Sequence, residues 1–278
     1  MIGRRSAWLA FFETFLLLRR FNIWIPLILY LALKVILVAL YVNAPGGFVG
    51  SFWALFLKKG FREALTHYPE HRLLMPVVLG RLDIILDVFV HAFFQGVTIF
   101  LFADAIRKRS GSMAEALKGT FRRYVPLVGV TIIASAFVFA CFNVPALLLP
   151  KGGNILFRAG GWAATTFVGL VFQALFIFTG PLVLLKGRSI FRAVKESIKI
   201  AMISFDQTMI LVSVPFIITL PGILLEFKSE MLALRFSPEV LAYVQVFREL
   251  LGFVSALLLI GGLTVTFFWR QLDEAGRE

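Results

Sequence analysis

Residues 23–42 read IWIPLILYLALKVILVALYV, twenty positions broken by a single charge, Lys34. At a rise of about 1.5 Å per residue, a helix over this stretch is about 30 Å long, the thickness of a bilayer's hydrocarbon core. That match decides the fold class, and the same pattern recurs along the chain. Six apolar stretches fit spans at roughly 22–42, 76–104, 125–149, 161–185, 208–226 and 250–270. Of the 278 residues, 59% are hydrophobic, against about 45–50% in soluble domains. Mean hydropathy is +0.89, and no long hydrophilic loops are present to cover the apolar runs. The expectation is an all-α polytopic membrane protein with six transmembrane helices in one transmembrane domain over residues 1–278.

The N-terminal MIGRRSAWLAFF resembles a signal peptide weakly. No small-residue cleavage site follows it, and the stretch ends in Arg19-Arg20, so it reads as part of the mature protein. The one cysteine, Cys141, lies in an apolar run and excludes an intrachain disulfide framework.

The formal net charge is +12. With the N-terminus inside, seventeen Lys and Arg fall on the cytoplasmic side and nine on the other. That bias places both termini in the cytoplasm. The inner set includes Arg19, Arg20, Arg107, Lys108, Arg109, Arg122, Arg123, Arg192, Lys195 and Lys199. Beside membrane ends such charges attract anionic headgroups by roughly 1 kcal/mol each. No nucleic-acid-binding motif accompanies them, so nucleic acid is not expected as a partner.

A short pattern repeats before each odd-numbered span: SAWLAFFET from Ser6, SMAEALKGT from Ser112 and SIFRAVKES from Ser189. Each reads S-x-x-x-A-[FLV]-x-x-[ST]. Each serine suits a helix N-cap, with Glu115 completing a capping box in the second copy. The helices that follow, with Lys and Arg between apolar residues in the later copies, suit the headgroup level. The expected architecture is therefore an interfacial amphipathic helix plus a helical hairpin, repeated three times over about 1–106, 107–187 and 188–278. The loop GFVGSFWALFLKKGFREALTHYP and residues 226–249 suggest further amphipathic helices on the outer side. Pro145 and Pro221 are expected to kink or end spans three and five.

The later units carry SMAEALKGTFRRYVPLVGV, VPALLLP, GPLVLLKGRSIFRAVKESIKIA, LPGILLE and, at the end, GGLTVTFFWRQLDEAG. Over about residues 95–275 these features resemble the bacterial six-span family that includes YciC-like and DUF975-type membrane proteins. The membrane region of some glycerophosphodiester phosphodiesterases is a relative. The resemblance implies a six-helix bundle in the bacterial cytoplasmic (inner) membrane and supplies no catalytic residues. The first unit departs from it in its long outer loop and in a polar row within span two.

That row is Asp83, Asp87, His91 and Gln95, spaced by four in RLDIILDVFVHAFFQG, residues 81–96. On a helix it forms one stripe. Each ionisable group in a span costs roughly 2.5–3.5 kcal/mol, so it is expected to face the bundle and find partners. Matching depth from the cytoplasmic ends predicts that Lys34 meets Asp87 with His91 alongside, while Arg81 and Asp83 stay wet near the outer surface. Three readings compete: a structural polar lock, an ion or proton path, and a metal site from Asp83, Asp87 and His91. His67 and His71 are expected at a solvated or interfacial surface.

There is no Gly-rich phosphate loop, no H-E-x-x-H and no nucleophile–base arrangement. The function expected is non-enzymatic: a structural, envelope-maintenance or accessory subunit of a membrane complex, with no catalytic residues, no cofactor and no resident metal. Its expected partners are membrane lipids, with other membrane-protein subunits or a second copy as further candidates. The alternative is a small transporter or channel for an ion, lipid or amphiphile, using Lys34, Asp87, His91 and Gln95.

Overall fold

A computed structural model describes residues 6–43, 47–55, 67–68, 70–109, 111–148 and 155–275. Among these residues the chain is all-helical. The helices are α1 (Ala7–Leu17), α2 (Ile25–Asn43), α3 (Gly47–Ala54), α4 (Glu70–Leu73) and α5 (Met75–Leu86). A π-helical turn, Asp87–His91, leads into α6 (Ala92–Ile106). There follow α7 (Met113–Arg122), α8 (Tyr124–Leu148), α9 (Ile155–Phe176), α10 (Thr179–Leu184), α11 (Ile190–Ile203), α12 (Phe205–Phe227), α13 (Ser229–Arg235) and α14 (Val240–Ala275).

Six stretches are long and apolar enough to cross a membrane: Ile25–Asn43, Met75–Ile106, Tyr124–Cys141, Gly160–Leu184, Phe205–Phe227 and Val240–Leu272. The second and last, 32 and 33 residues long, exceed the roughly 20 residues a span requires. The prolines do not end their helices. The backbone of α8 runs through Pro145, and α12 runs through Pro215 and Pro221 to Phe227. A span's other backbone bonds hold the helix past one missing N–H. The last span also begins about ten residues earlier than its apolar run suggests. Gln245, Arg248 and Glu249 are helical, and their polarity had set the expected start at 250. Of the expected outer-loop helix, α3 is described; residues 56–66 lie outside the described residues.

By contact the chain divides into two compact units. The first comprises 1–24, 92–214 and 258–278, and the second 25–91 and 215–257. In the first unit, three short helices carry the repeated pattern. Their alanines Ala10, Ala116 and Ala193 are buried, as are the hydroxyl residues Thr14, Thr120 and Ser197. Thr14 and Thr120 donate to carbonyls one turn back, Ala10 at 2.7 Å and Ala116 at 2.9 Å. Each hydroxyl residue also seats its helix against an even-numbered span. A Cβ on Gly261 of α14 would collide with Thr14, and one on Gly96 of α6 would lie 2.6 Å from Thr120 Cγ2. Ser197 donates to Leu175 O (2.7 Å) and accepts from Phe178 N (3.2 Å), joining the break between α9 and α10.

The capping serines differ. All three occupy N-cap positions, and Ser6 accepts from Leu9 N at 3.4 Å. Ser112 and Ser189 make no side-chain cap hydrogen bond, so the capping box expected with Glu115 does not form. Both have the extended backbone of an N-cap, which positions the chain without the hydroxyl closing the bond.

The second unit has its own apolar core, with Val38 and Tyr41 of α2, Trp53 of α3, Met75, Val78, Leu79 and Leu82 of α5, Ala233 of α13 and Leu241 of α14. The Tyr41 hydroxyl donates to His71 O at 2.6 Å. His71 is buried rather than at a wet surface, because α4 packs into this core; His67 remains exposed. Desolvation holds the His71 imidazole below its usual pKa.

Candidate functional site

The second unit gathers charge where its sequence is otherwise apolar. Tyr30 and Lys34 stand one helical turn apart on α2, so they share a face. Asp83 is on α5, and Asp87 and His91 open and close the π turn. Gln245, Arg248 and Glu249 lie on α14, and Glu226 near the end of α12.

Lys34 Nζ lies 2.7 Å from Glu249 Oε2 and 3.0 Å from Asp83 Oδ1. The other oxygen of each carboxylate turns to Arg248. Its Nη2 donates to Asp83 Oδ2 and, at 3.1 Å, to Glu249 Oε1. Lys34, Asp83, Arg248 and Glu249 therefore close an alternating ring of two cations and two anions. The ring is neutral as a unit and uses both oxygens of both acids. Gln245 Nε2 adds a donor to Glu249 Oε1 at 2.9 Å. Side-chain exposure is 9% for Lys34, 14% for Asp83 and 7% for Glu249. Charges this buried are tolerated in an apolar setting only when paired and hydrogen-bonded.

Two further acids hang from the ring. Glu226 places both oxygens 2.7 Å from Arg248 Nη1. Asp87 Oδ1 sits 3.8 Å from Lys34 Nζ and accepts from the Tyr30 hydroxyl at 2.5 Å. The Tyr30 ring stacks on His91, with centroids 4.9 Å apart and planes tilted by 20°, and Lys34 Nζ lies 5.5 Å from its centroid. A small cavity with room for about one water is lined by Lys34, Asp83, Gln245 and Glu249 on its polar side and by Leu37, Val38, Leu79, Leu82 and Leu86 on the other.

These positions revise the expected partners. The nearest acids to Lys34 are Glu249 and Asp83, and Asp87 is third. Asp83 is in the ring rather than wet, and Arg81 is exposed. Depth counted from span ends carries an error of several residues, about one helical turn, which is the offset between Asp87 and Asp83. Gln95 lies beyond the π turn, in α6 and in the other unit. Glu226, Gln245, Arg248 and Glu249 were missed because they read as outer-loop polarity. The available signal was Gln245 and Glu249 at i, i+4 with Arg248 between, ahead of an apolar run. Among the described residues, no three His, Cys, Asp or Glu side chains are gathered as a metal site, Asp83, Asp87 and His91 included.

The basic residues of the first unit are placed differently. Arg19, Arg20, Arg107, Lys108, Arg109, Arg122, Arg192, Lys195 and Lys199 are exposed. Arg20 Nη1 donates to Arg109 O at 2.9 Å, and the Arg107 guanidinium stands 5.0 Å over the Phe268 ring. Arg123 is half-buried and donates to Val183 O at 2.8 Å. Exposed apolar side chains accompany them: Phe121, Phe191, Met202 and Ile203.

No family model, curated protein or solved structure matches the chain.

Proposed function

We propose that this chain is a non-enzymatic, multi-pass protein of the bacterial cytoplasmic membrane, acting as a structural or accessory subunit. The observation that carries the reading is the ion ring. It joins α2, α5 and α14 through charges that spend their oxygens and N–H groups on one another, with Glu226 tying in α12. Groups consumed in mutual pairing hold helices in register and leave little for a substrate. The proposal includes the resemblance of residues 95–275 to YciC-like and DUF975-type proteins.

In the same proposal, α1, α7 and α11 are interfacial members of a threefold repeat. The burial of Ala10, Ala116 and Ala193, and the seating of Thr14, Thr120 and Ser197 on even-numbered spans, support it. The exposed Lys118, Arg122, Arg192, Lys195 and Lys199, with Phe121 and Phe191, suit anionic headgroups on the cytoplasmic side.

Asp87 favours a second reading, a small ion or proton transporter, since its side chain is 52% exposed within a predicted span. Flux through proteoliposomes separates the two. The scaffold reading expects no specific ion or lipid flux and a stable larger complex after mild detergent extraction. Flux that is lost in a folded Asp87→Asn variant contradicts it.

A further inference from the structure

The three repeat-bearing helices share a register but not a surface. Counted from the opening serine, the sixth and tenth following positions fall on the side of the helix opposite the buried alanine. In α7 they are Lys118 and Arg122, and in α11 they are Lys195 and Lys199, all four exposed. In α1 the same positions are Phe12 and Leu16, also exposed. The second and third copies therefore present two cations one turn apart where the first presents apolar side chains. The third following position, on the same side, is Leu9, Glu115 and Arg192 in turn. It gives α11 a third cation and α7 an acid.

Like charges at i, i+4 repel and weaken a helix unless an anion sits between them. Glu196, the acid beside the α11 pair, is held by Arg188 Nε at 2.9 Å. Both pairs stand at the foot of a span. Only Arg123 separates Arg122 from the span Tyr124–Cys141, and Lys199 lies less than two helical turns before the span Phe205–Phe227. Apolar side chains are exposed beside them: Phe121 and Val125 at the first pair, and Phe191, Met202 and Ile203 at the second. Cations bordered by apolar surface at a membrane boundary fit an anionic phospholipid, its phosphate on the cations and its chains over the apolar groups. A free phosphate ion would leave those apolar groups uncovered.

We infer that α7 and α11 are two corresponding stations for the phosphate of an anionic glycerophospholipid, formed by Lys118 with Arg122 and by Lys195 with Lys199, and that α1 is not a station. The α11 station is the stronger, because Arg192 adds to it while Glu115 subtracts from α7. The inference rests on the interfacial placement proposed above and names the residues that select the lipid.

The test uses the full chain in phosphatidylcholine vesicles. Electron spin resonance of spin-labelled phosphatidylglycerol and spin-labelled phosphatidylcholine reads the fraction of each immobilised at the protein. The expected result is a several-fold preference for phosphatidylglycerol that shrinks as salt rises. Lys195→Gln with Lys199→Gln removes more of it than Lys118→Gln with Arg122→Gln, and the four together remove most. Lys228→Gln with Arg235→Gln, which removes two exposed cations of the second unit, leaves it unchanged. No preference in the unsubstituted chain, as an acidic protein segment for occupant would give, overturns the inference. So does a preference that survives all four substitutions, or an equal loss in the Lys228 and Arg235 variant. A spin label on Ala114→Cys, in a Cys141→Ser chain, reads depth separately. Headgroup depth without a lipid preference overturns the inference alone, whereas a label in bulk water or at the bilayer centre overturns the interfacial placement with it.

Discussion

Gly96 of α6 faces Thr120 of α7 so closely that a Cβ added to the glycine would lie 2.6 Å from the threonine's Cγ2. The contact sets how near the second repeat-bearing helix comes to its span. Gly96→Ala is expected to destabilise the protein by about 1–3 kcal/mol through overpacking. Because the first atom met is a methyl, Thr120→Ser in the same chain recovers part of the loss, with Leu127 Cδ2 at 3.0 Å accounting for the remainder. Thermal or denaturant unfolding in detergent of the two single variants and the double variant checks this.

Ser197 serves two buried backbone groups at once. Ser197→Ala leaves Phe178 N–H and Leu175 C=O without this partner, and a loss of about 1–3 kcal/mol follows from an unsatisfied buried group. Ser112→Ala, at a cap position without a side-chain hydrogen bond, is expected to cost far less. The two unfolding curves, compared under one detergent, read the difference.

Lys108 adopts φ 58° at the end of α6, and Arg109 N bonds back to Asp104 O at 2.9 Å. This is a left-handed helix terminus filled by a residue with a Cβ. Lys108→Gly relieves roughly 1–2 kcal/mol of local strain, partly offset by the glycine's greater freedom when unfolded. The expected outcome is a small gain in melting temperature, and a clear fall contradicts the local account.

His71 gives a pH dependence. Burial favours its neutral form, so its pKa when folded lies below its value of about 6.5 when unfolded. Its contribution is fully present above about pH 6.5 and is lost as pH falls through the folded value, since the unfolded chain then binds the extra proton. His71→Gln is expected to flatten that part of the stability profile, read by unfolding across pH in one detergent.

Six spans were legible because they depend on long apolar runs. The pattern Ser-x-x-x-Ala located three helices whose Ala and hydroxyl positions are buried. The polar row was visible, but only half of its surroundings were. Asp83 and Asp87 are in span two by any reading, whereas Glu226, Arg248 and Glu249 sit where apolar runs thin out. Hydropathy assigns such residues to loops, although paired charges are tolerated inside a helix. The π turn at Asp87–His91 is equally silent in the sequence, since nothing in DVFVH differs from ordinary helix.

The central claim is that Lys34 and Glu249 are joined within the ring. A double-mutant cycle with Lys34→Met and Glu249→Leu, read by reversible unfolding in detergent, tests it most directly. Each single variant leaves a buried charge short of a partner and is expected to lose about 3–5 kcal/mol. The double variant is expected to lose less than the two single losses summed, with a coupling of at least about 1 kcal/mol. Losses that simply add, with no coupling, would contradict the account.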